Sequence, residues 1–159
     1  MLVPAVTKKD ELEGLFAQHA YTYEYFLYMG HRYAHELPDI RLEDGVFQFA
    51  IVDVNRVIGY FNYEIDPETD TASNFGLYSF CRGNPLIGID VFKEMNRLVN
   101  SCRRVQWRMI GGNPVKRHYD RFCEKYGGNC VVLHDVLKSP EGAYVDEYIY
   151  EIVSNYGKG

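Results

Sequence analysis

The stretch Asn74 to Val99, NFGLYSFCRGNPLIGIDVFKEMNRLV, constrains the fold more than any other part of the chain. Asn74 to Cys81 is mostly aromatic and apolar, the content of a buried strand. Arg82-Gly83-Asn84-Pro85 can continue neither a strand nor a helix. From Gly88 onward, Val91, Phe92, Met95, Leu98 and Val99 recur at spacings of three and four, which predicts a helix with one apolar stripe. The segment therefore reads as strand, glycine-bearing loop, helix. A helix start offers unpaired backbone N–H groups and the positive end of the helix dipole. Placed after a glycine loop and beside Arg82, it is an anion site, suited to the pyrophosphate of a cofactor.

The rest of the chain arranges itself around this unit. Val3 to Val6 reads as a short strand, with Thr7 and Asp10 resembling a capping box before a helical stripe at Leu12, Leu15, Phe16 and His19. A second helix is expected from Tyr21 to Glu36, ended by Pro38; its tyrosines either pack on a sheet or wall a pocket. Val46 to Val54 and Val57 to Ile65 read as strands joined by a tight turn at Asp53 to Arg56. Asp66 to Ser73 reads as a polar connection. Arg104 to Ile110 is a short strand, broken by Gly111-Gly112. Asn113 can cap the next helix with Pro114 in its first position. Val115, Tyr119, Phe122 and Tyr126 form that helix's apolar face, and Lys116 can pair with Asp120. Gly127-Gly128 ends it. Cys130 to Leu137 and Tyr144 to Val153 form a final hairpin. The expected fold class is α+β: a single domain over 1–159 whose mostly antiparallel sheet is flanked by helices. The crossover helix makes the strands at Asn74–Cys81 and Arg104–Ile110 parallel neighbours.

Composition excludes several classes of function. A net charge of −5 argues against a nucleic-acid binder that works by neutralising phosphates. No run approaches the ~18 apolar residues of a membrane span, and the N-terminus lacks a signal peptide's apolar stretch. Cys81, Cys102, Cys123 and Cys130 form no CxxC pair, which fits reduced thiols in the cytoplasm. His118, Cys123 and Cys130 match no zinc-ligand spacing, so no metal is expected. Gly83 to Gly88 has P-loop spacing, but Ile89-Asp90 replace the required Lys-Ser/Thr.

The element order, the loop at Arg82 to Gly88 and the break at Asn113 resemble the GNAT superfamily of N-acyltransferases, most clearly over Val57 to Gly128. In that family the fourth strand leads into a loop of the form Q/R-x-x-G-x-G/A whose amides bind the pyrophosphate of acetyl-CoA. The fourth and fifth strands splay to admit the pantetheine arm. Arg82 fits the first position of the loop. Gly88 fits the last glycine one residue late, Leu86 takes the inner glycine's place, and Pro85 removes one amide. A later segment, N-x-x-A-x-x-x-Y-x-x-x-G-F, supplies an Asn that contacts the cofactor and a Tyr that protonates the leaving thiolate. Asn113 and Gly127 bracket that segment here. Tyr119 falls one residue short of the tyrosine position counted from Asn113, Cys123 takes it counted from Gly127, and Gly128 replaces the Phe.

The resemblance implies acyl transfer from acetyl-CoA, or another acyl-CoA, to an amine by direct attack. It implies cofactor contacts at Ser79, Phe80, Cys81, Arg82, Gly83, Asn84, Leu86, Ile87, Gly88 and Asn113. Such chemistry needs a polarised carbonyl, a proton for the thiolate and a base for the amine. A backbone N–H between Leu77 and Cys81 could polarise the carbonyl. Tyr119 is the candidate acid, although the same residue also suits core packing, and Cys123 is a second candidate. Glu64 is the candidate base, sharing a strand side with Tyr60 and Asn62, or else a solvated carboxylate. His134 is a further base candidate. Asp135, Asp146 or Glu147 could bind a cationic substrate. The expected partner is a small-molecule or peptide amine, with a homodimer possible through the last hairpin and neither nucleic acid nor membrane. The alternative reading is a GNAT-like binding or regulatory module without catalysis.

Overall fold

The computed structural model describes residues 1–19 and 38–154. The helix expected over Tyr21 to Glu36 and the last five residues of the tail lie outside the described residues. β1 (Leu2–Pro4) leads through a 3-10 turn (Ala5–Lys8) into α1 (Lys9–His19). Then follow β2 (Val46–Asp53), β3 (Arg56–Asp66), β4 (Thr71–Ser79), α2 (Pro85–Ser101), β5 (Arg104–Ile110), α3 (Lys116–Lys125), β6 (Asn129–Lys138) and β7 (Tyr144–Val153). The strands form one sheet in the order β1-β2-β3-β4-β5-β7-β6. Every adjacent pair is antiparallel except β4 and β5. No helix among the described residues is long and apolar enough to cross a membrane.

Alternation along the strands sorts two cores onto the two sheet faces. Ile51, Phe61 and Tyr63 meet α2 and α3 on one face, together with Trp107 and Tyr150. Their strand neighbours Ala50 and Tyr60 meet Leu12 and Phe16 of α1 on the other. The α2 stripe buries Ile87, Val91, Met95, Leu98 and Val99, each worth about 1.5–3 kcal/mol relative to exposure. β6 is the outer strand beyond β7 and stays exposed along most of its length.

Several sequence boundaries need correction, among them the first strand, which is Leu2–Pro4 and not Val3 to Val6, with Thr7 inside the 3-10 turn. β4 starts at Thr71, not Asn74, because Thr71, Ala72 and Ser73 pair with Asp66, Ile65 and Glu64 of β3. The expected loop shrinks to the residues before Thr71. Cys81 consequently lies just past the strand rather than in it. α2 starts at Pro85, not Gly88: Asn84 is its N-cap, with the side-chain oxygen accepting the Leu86 N–H at 3.0 Å. Pro85 sits at the first helical position, where a missing N–H costs nothing.

One irregularity positions the site. Between the pairs Asn62↔Gly76 and Glu64↔Ser73, β4 holds two residues, Asn74 and Phe75, opposite the single Tyr63. Asn74 takes φ +53, a conformation that asparagine tolerates better than most residues. Its carbonyl accepts from Asn62 Nδ2 at 2.9 Å, and its Nδ2 donates to Glu64 Oε2 at 2.8 Å. A bulge of this kind bends its strand and sharpens the twist. β4 and β5 pair only at Thr71↔Arg104 and Ala72↔Val105, on the near side of that bend.

Candidate active site

Past Ala72 and Val105 the two parallel strands part, and a cavity of about 720 Å³ fills the gap. Its walls come from Phe75, Leu77 and Ser79 of β4, Arg82 to Pro85 of the following loop, and Arg108 and Met109 of β5. The first turns of α2 contribute Ile87, Gly88, Ile89, Val91 and Phe92. The far wall is Asn113, Pro114 and Val115 with His118 and Tyr119 of α3.

The β4 backbone presents donors to this space. The Phe80 N–H donates to the Ile58 carbonyl at 2.9 Å, and Tyr78 stands opposite Tyr60 in the β3 register. Alternation then turns the N–H groups of Leu77 and Ser79 the other way, toward the parted side. At the α2 end, Pro85 has no N–H and the Leu86 N–H is occupied by the Asn84 cap. An added Cβ at Gly83 or at Gly88 would meet no atom within 4 Å, so open space lies directly over the helix start. Gly83 also takes φ +80, which suits glycine.

Of the residues expected to hold a cofactor, Ser79, Arg82, Gly83, Asn84, Ile87, Gly88 and Asn113 converge on the cavity. Phe80, Cys81 and Leu86 do not line it. Phe80 is turned to the α1 face, where its ring packs at 5.3 Å from both Phe16 and His19. Cys81 Sγ accepts from Arg56 at 3.7 Å. The Leu86 amide serves the cap. Asn113 does not cap the α-helix, which begins at Lys116 with Val115 at its N-cap; its Oδ1 accepts the Val115 N–H at 3.0 Å in the turn just before.

Tyr119 is 6% exposed and lines the cavity from α3. Its ring is gripped by Phe92, Trp107 and Tyr150 at 5.7–5.8 Å between centroids. Its hydroxyl makes no hydrogen bond among the described residues. Burial pushes its phenol above the ordinary tyrosine range, so the proton stays on at neutral pH. Cys123, the alternative acid, lies outside the cavity lining. Its Sγ faces the Asn129 carbonyl at 3.5 Å, and burial raises its thiol.

The base candidates fall elsewhere. Glu64 is absent from the lining and is held by Asn74 beside the bulge. His134 is exposed and pairs with Asp146 at 3.3 Å on the outer hairpin. Asp146 also accepts the Asp135 N–H at 3.0 Å. Glu147, considered above as a partner for a cationic substrate, is buried and ion-paired with Arg108 at 2.7 Å. Sequence reading missed Arg108, His118 and Phe92 as cavity residues. Arg108 alternates with Trp107 and Met109 just as Arg104 alternates with Val105, so no local signal separates the two arginines. What distinguishes Arg108 is its place near the open end of β5.

No family model and no curated protein matches the sequence. Solved structures do match. An N-acetyltransferase from Staphylococcus aureus aligns over 96% of this chain and 97% of its own at 15% identity, with a TM-score of 0.67. The ribosomal-protein-S18-alanine N-acetyltransferase from Escherichia coli aligns over 74% and 76% at 12% identity, TM-score 0.56. A ribosomal L7/L12 alpha-N-protein acetyltransferase, solved in complex with coenzyme A, aligns over 69% of this chain and 63% of its own at 13% identity, TM-score 0.52. The chain has the GNAT acetyltransferase fold.

Proposed function

We propose that this GNAT-fold chain is an acyl-CoA-dependent N-acyltransferase, moving an acetyl group from acetyl-CoA to a small-molecule or peptide amine by direct attack. The observation that carries the reading is one cavity between parted strands. It has a capped helix start and an arginine at one end and the protonated, unbonded hydroxyl of Tyr119 on its wall. The names of the matching structures, one of them solved with coenzyme A, support the same class of reaction and co-substrate.

Acetyl-CoA would supply the acyl group as an activated thioester. Arg82, Gly83 and Asn84, with Ile87 and Gly88 of α2, would hold its pyrophosphate. The helix dipole favours negative charge there, and the glycines leave room for it. Asn113 and the apolar walls at Leu77, Met109 and Val115 would flank the pantetheine arm. The N–H groups of Leu77 and Ser79 would hold the carbonyl oxygen, where negative charge grows as the amine attacks. Tyr119 would pass its proton to the departing sulfur. The described lining contains no carboxylate, so we assign the amine's proton to water in the cleft, with Glu64 only a remote acceptor.

A thermal-shift titration with acetyl-CoA, with ATP and NAD as controls, tests the reading. Ligand at about 100 times its dissociation constant stabilises by about 2.7 kcal/mol. For a domain of this size each kcal/mol raises the melting temperature by roughly 2–4 °C. A rise of several degrees specific to acetyl-CoA is expected. No rise at millimolar acetyl-CoA removes the reading.

A further inference from the structure

Arg108 has no part in the chemistry assigned so far, yet it is built into the cavity wall. Its Nη1 donates to Glu147 Oε1 at 2.7 Å, across the diagonal of the β5–β7 register. The glutamate side chain is 5% exposed and the arginine side chain 41%. The carboxylate is therefore buried, while the arginine, a residue of the cavity lining, keeps much of its side chain open to solvent. Nε and Nη2 of Arg108 donate to nothing among the described residues. A guanidinium fixed at one nitrogen, with other donors open, is preorganised for a planar anion.

The face matters as much as the charge. Trp107 and Met109, flanking Arg108 on β5, join the core under α2 and α3, where Tyr119 also sits. By strand alternation Arg108 leaves the sheet on the opposite face. Arg108 thus borders the cavity from β5 while its side chain projects to the side away from the proposed cofactor helix. Arg82 and Arg108 are the permanently charged side chains of the described lining, and no carboxylate joins them. A polyamine entering here would meet a cation and find no carboxylate in the described lining, since Glu147 is buried and already paired.

We infer that the acceptor amine carries an anionic group, a carboxylate or a phosphate, bound by Arg108, with Glu147 as its positioning residue. The inference rests on the acyl-transfer reading of the same cavity and adds the class of acceptor to it.

The test uses the full chain, acetyl-CoA and matched amines that differ only in the anion. L-phenylalanine is paired with phenethylamine, L-methionine with 3-(methylthio)propylamine, and 2-aminoethyl phosphate with ethanolamine. At least one member bearing the anion is expected to exceed its anion-free twin tenfold or more in kcat/KM, and the class that does so tells carboxylate from phosphate. Arg108→Gln is expected to raise KM for that acceptor about tenfold, the scale of a lost charge-assisted hydrogen bond, and to leave the anion-free twin's KM within threefold. Arg108→Lys is expected to restore part of the preference, and Glu147→Gln to raise the same KM with kcat held. Acetyl-CoA titration of each variant reports whether it is folded. A panel in which no anionic member beats its twin, or an Arg108→Gln variant that slows both twins alike, overturns the inference. Wild-type chain that binds acetyl-CoA yet shows no anionic preference brings down this inference alone. Failure to bind acetyl-CoA brings down the functional reading beneath it.

Discussion

Tyr119 meets Trp107 edge to face, with ring centroids 5.7 Å apart and ring planes at 60°. Phe92 and Tyr150 close on the same ring from other directions. The ring is fixed by aromatic packing, while its hydroxyl is left free for the cavity. Removing the oxygen should therefore cost catalysis and not the fold. Tyr119→Phe is expected to lower kcat by about 10²-fold or more, in the range of general-acid contributions. Its melting temperature and acetyl-CoA affinity should stay near wild type. An unchanged kcat removes Tyr119 from the mechanism.

Gly88 separates cofactor space from stability. It lies inside α2, where glycine costs roughly 0.5–1 kcal/mol relative to alanine, and a Cβ there touches nothing. Gly88→Ala should raise the melting temperature by a few degrees. Gly88→Leu should leave the fold intact yet weaken acetyl-CoA binding at least tenfold, measured by calorimetry. Undiminished affinity in the leucine variant would move the pyrophosphate away from this helix start.

Glu64 offers a contrasting case. Its carboxylate is engaged by Asn74 and sits outside the cavity lining. Glu64→Gln is expected to keep kcat within about threefold, because amine deprotonation passes to water. A loss of 50-fold or more, with a shifted acid limb in the pH–rate profile, would make Glu64 the base after all.

Among the described residues, four phenols set an alkaline limit on the fold. Burial pushes Tyr60, Tyr63, Tyr119 and Tyr150 upward from the ordinary value of 10.0. The Glu94 and Asp120 carboxylates, which accept from Tyr63 and Tyr150 at 2.6 and 2.7 Å, push those two further. Above about pH 10 the unfolded chain releases these protons while the folded chain keeps them, so stability falls as pH rises. Their contribution is whole below the unfolded value. Urea midpoints measured from pH 8 to 11 should hold steady and then drop above about pH 10. A flat profile to pH 11 would mean that these phenols titrate alike in both states.

Much of this architecture is written in local patterns. β5 and β7 run over the residues that alternation marks, Arg104–Ile110 and Tyr144–Val153, because glycines and polar turns bound both sharply. The parallel placement of β4 beside β5 follows from the crossover helix between them. The start of β4 was hidden because Thr71 and Ser73 are polar and take their strand identity from β3, a tertiary cause. Pro85 looked like a breaker and proved to be the first residue of a capped helix. The loop and Tyr119 were legible as candidate cavity residues because glycine, arginine and tyrosine sit at telling positions, and they do line the cavity. Arg108 was not, since its access to the cavity depends on where β4 turns away. That turn depends on Asn74 adopting a left-handed conformation, which no short-range pattern announces.

The two-pair contact between β4 and β5 has a mechanical consequence. The sheet is divided into two stiff plates, β1 to β4 and β5 to β7, stitched along a seam of Thr71, Ala72, Arg104 and Val105. A small rotation about that seam would be amplified at the distant end of the cavity, which Ser79 lines. The width of the opening is thereby governed from the far end of the cleft. Ala72 and Val105, both fully buried and outside the cavity lining, would be the axle of any such rotation.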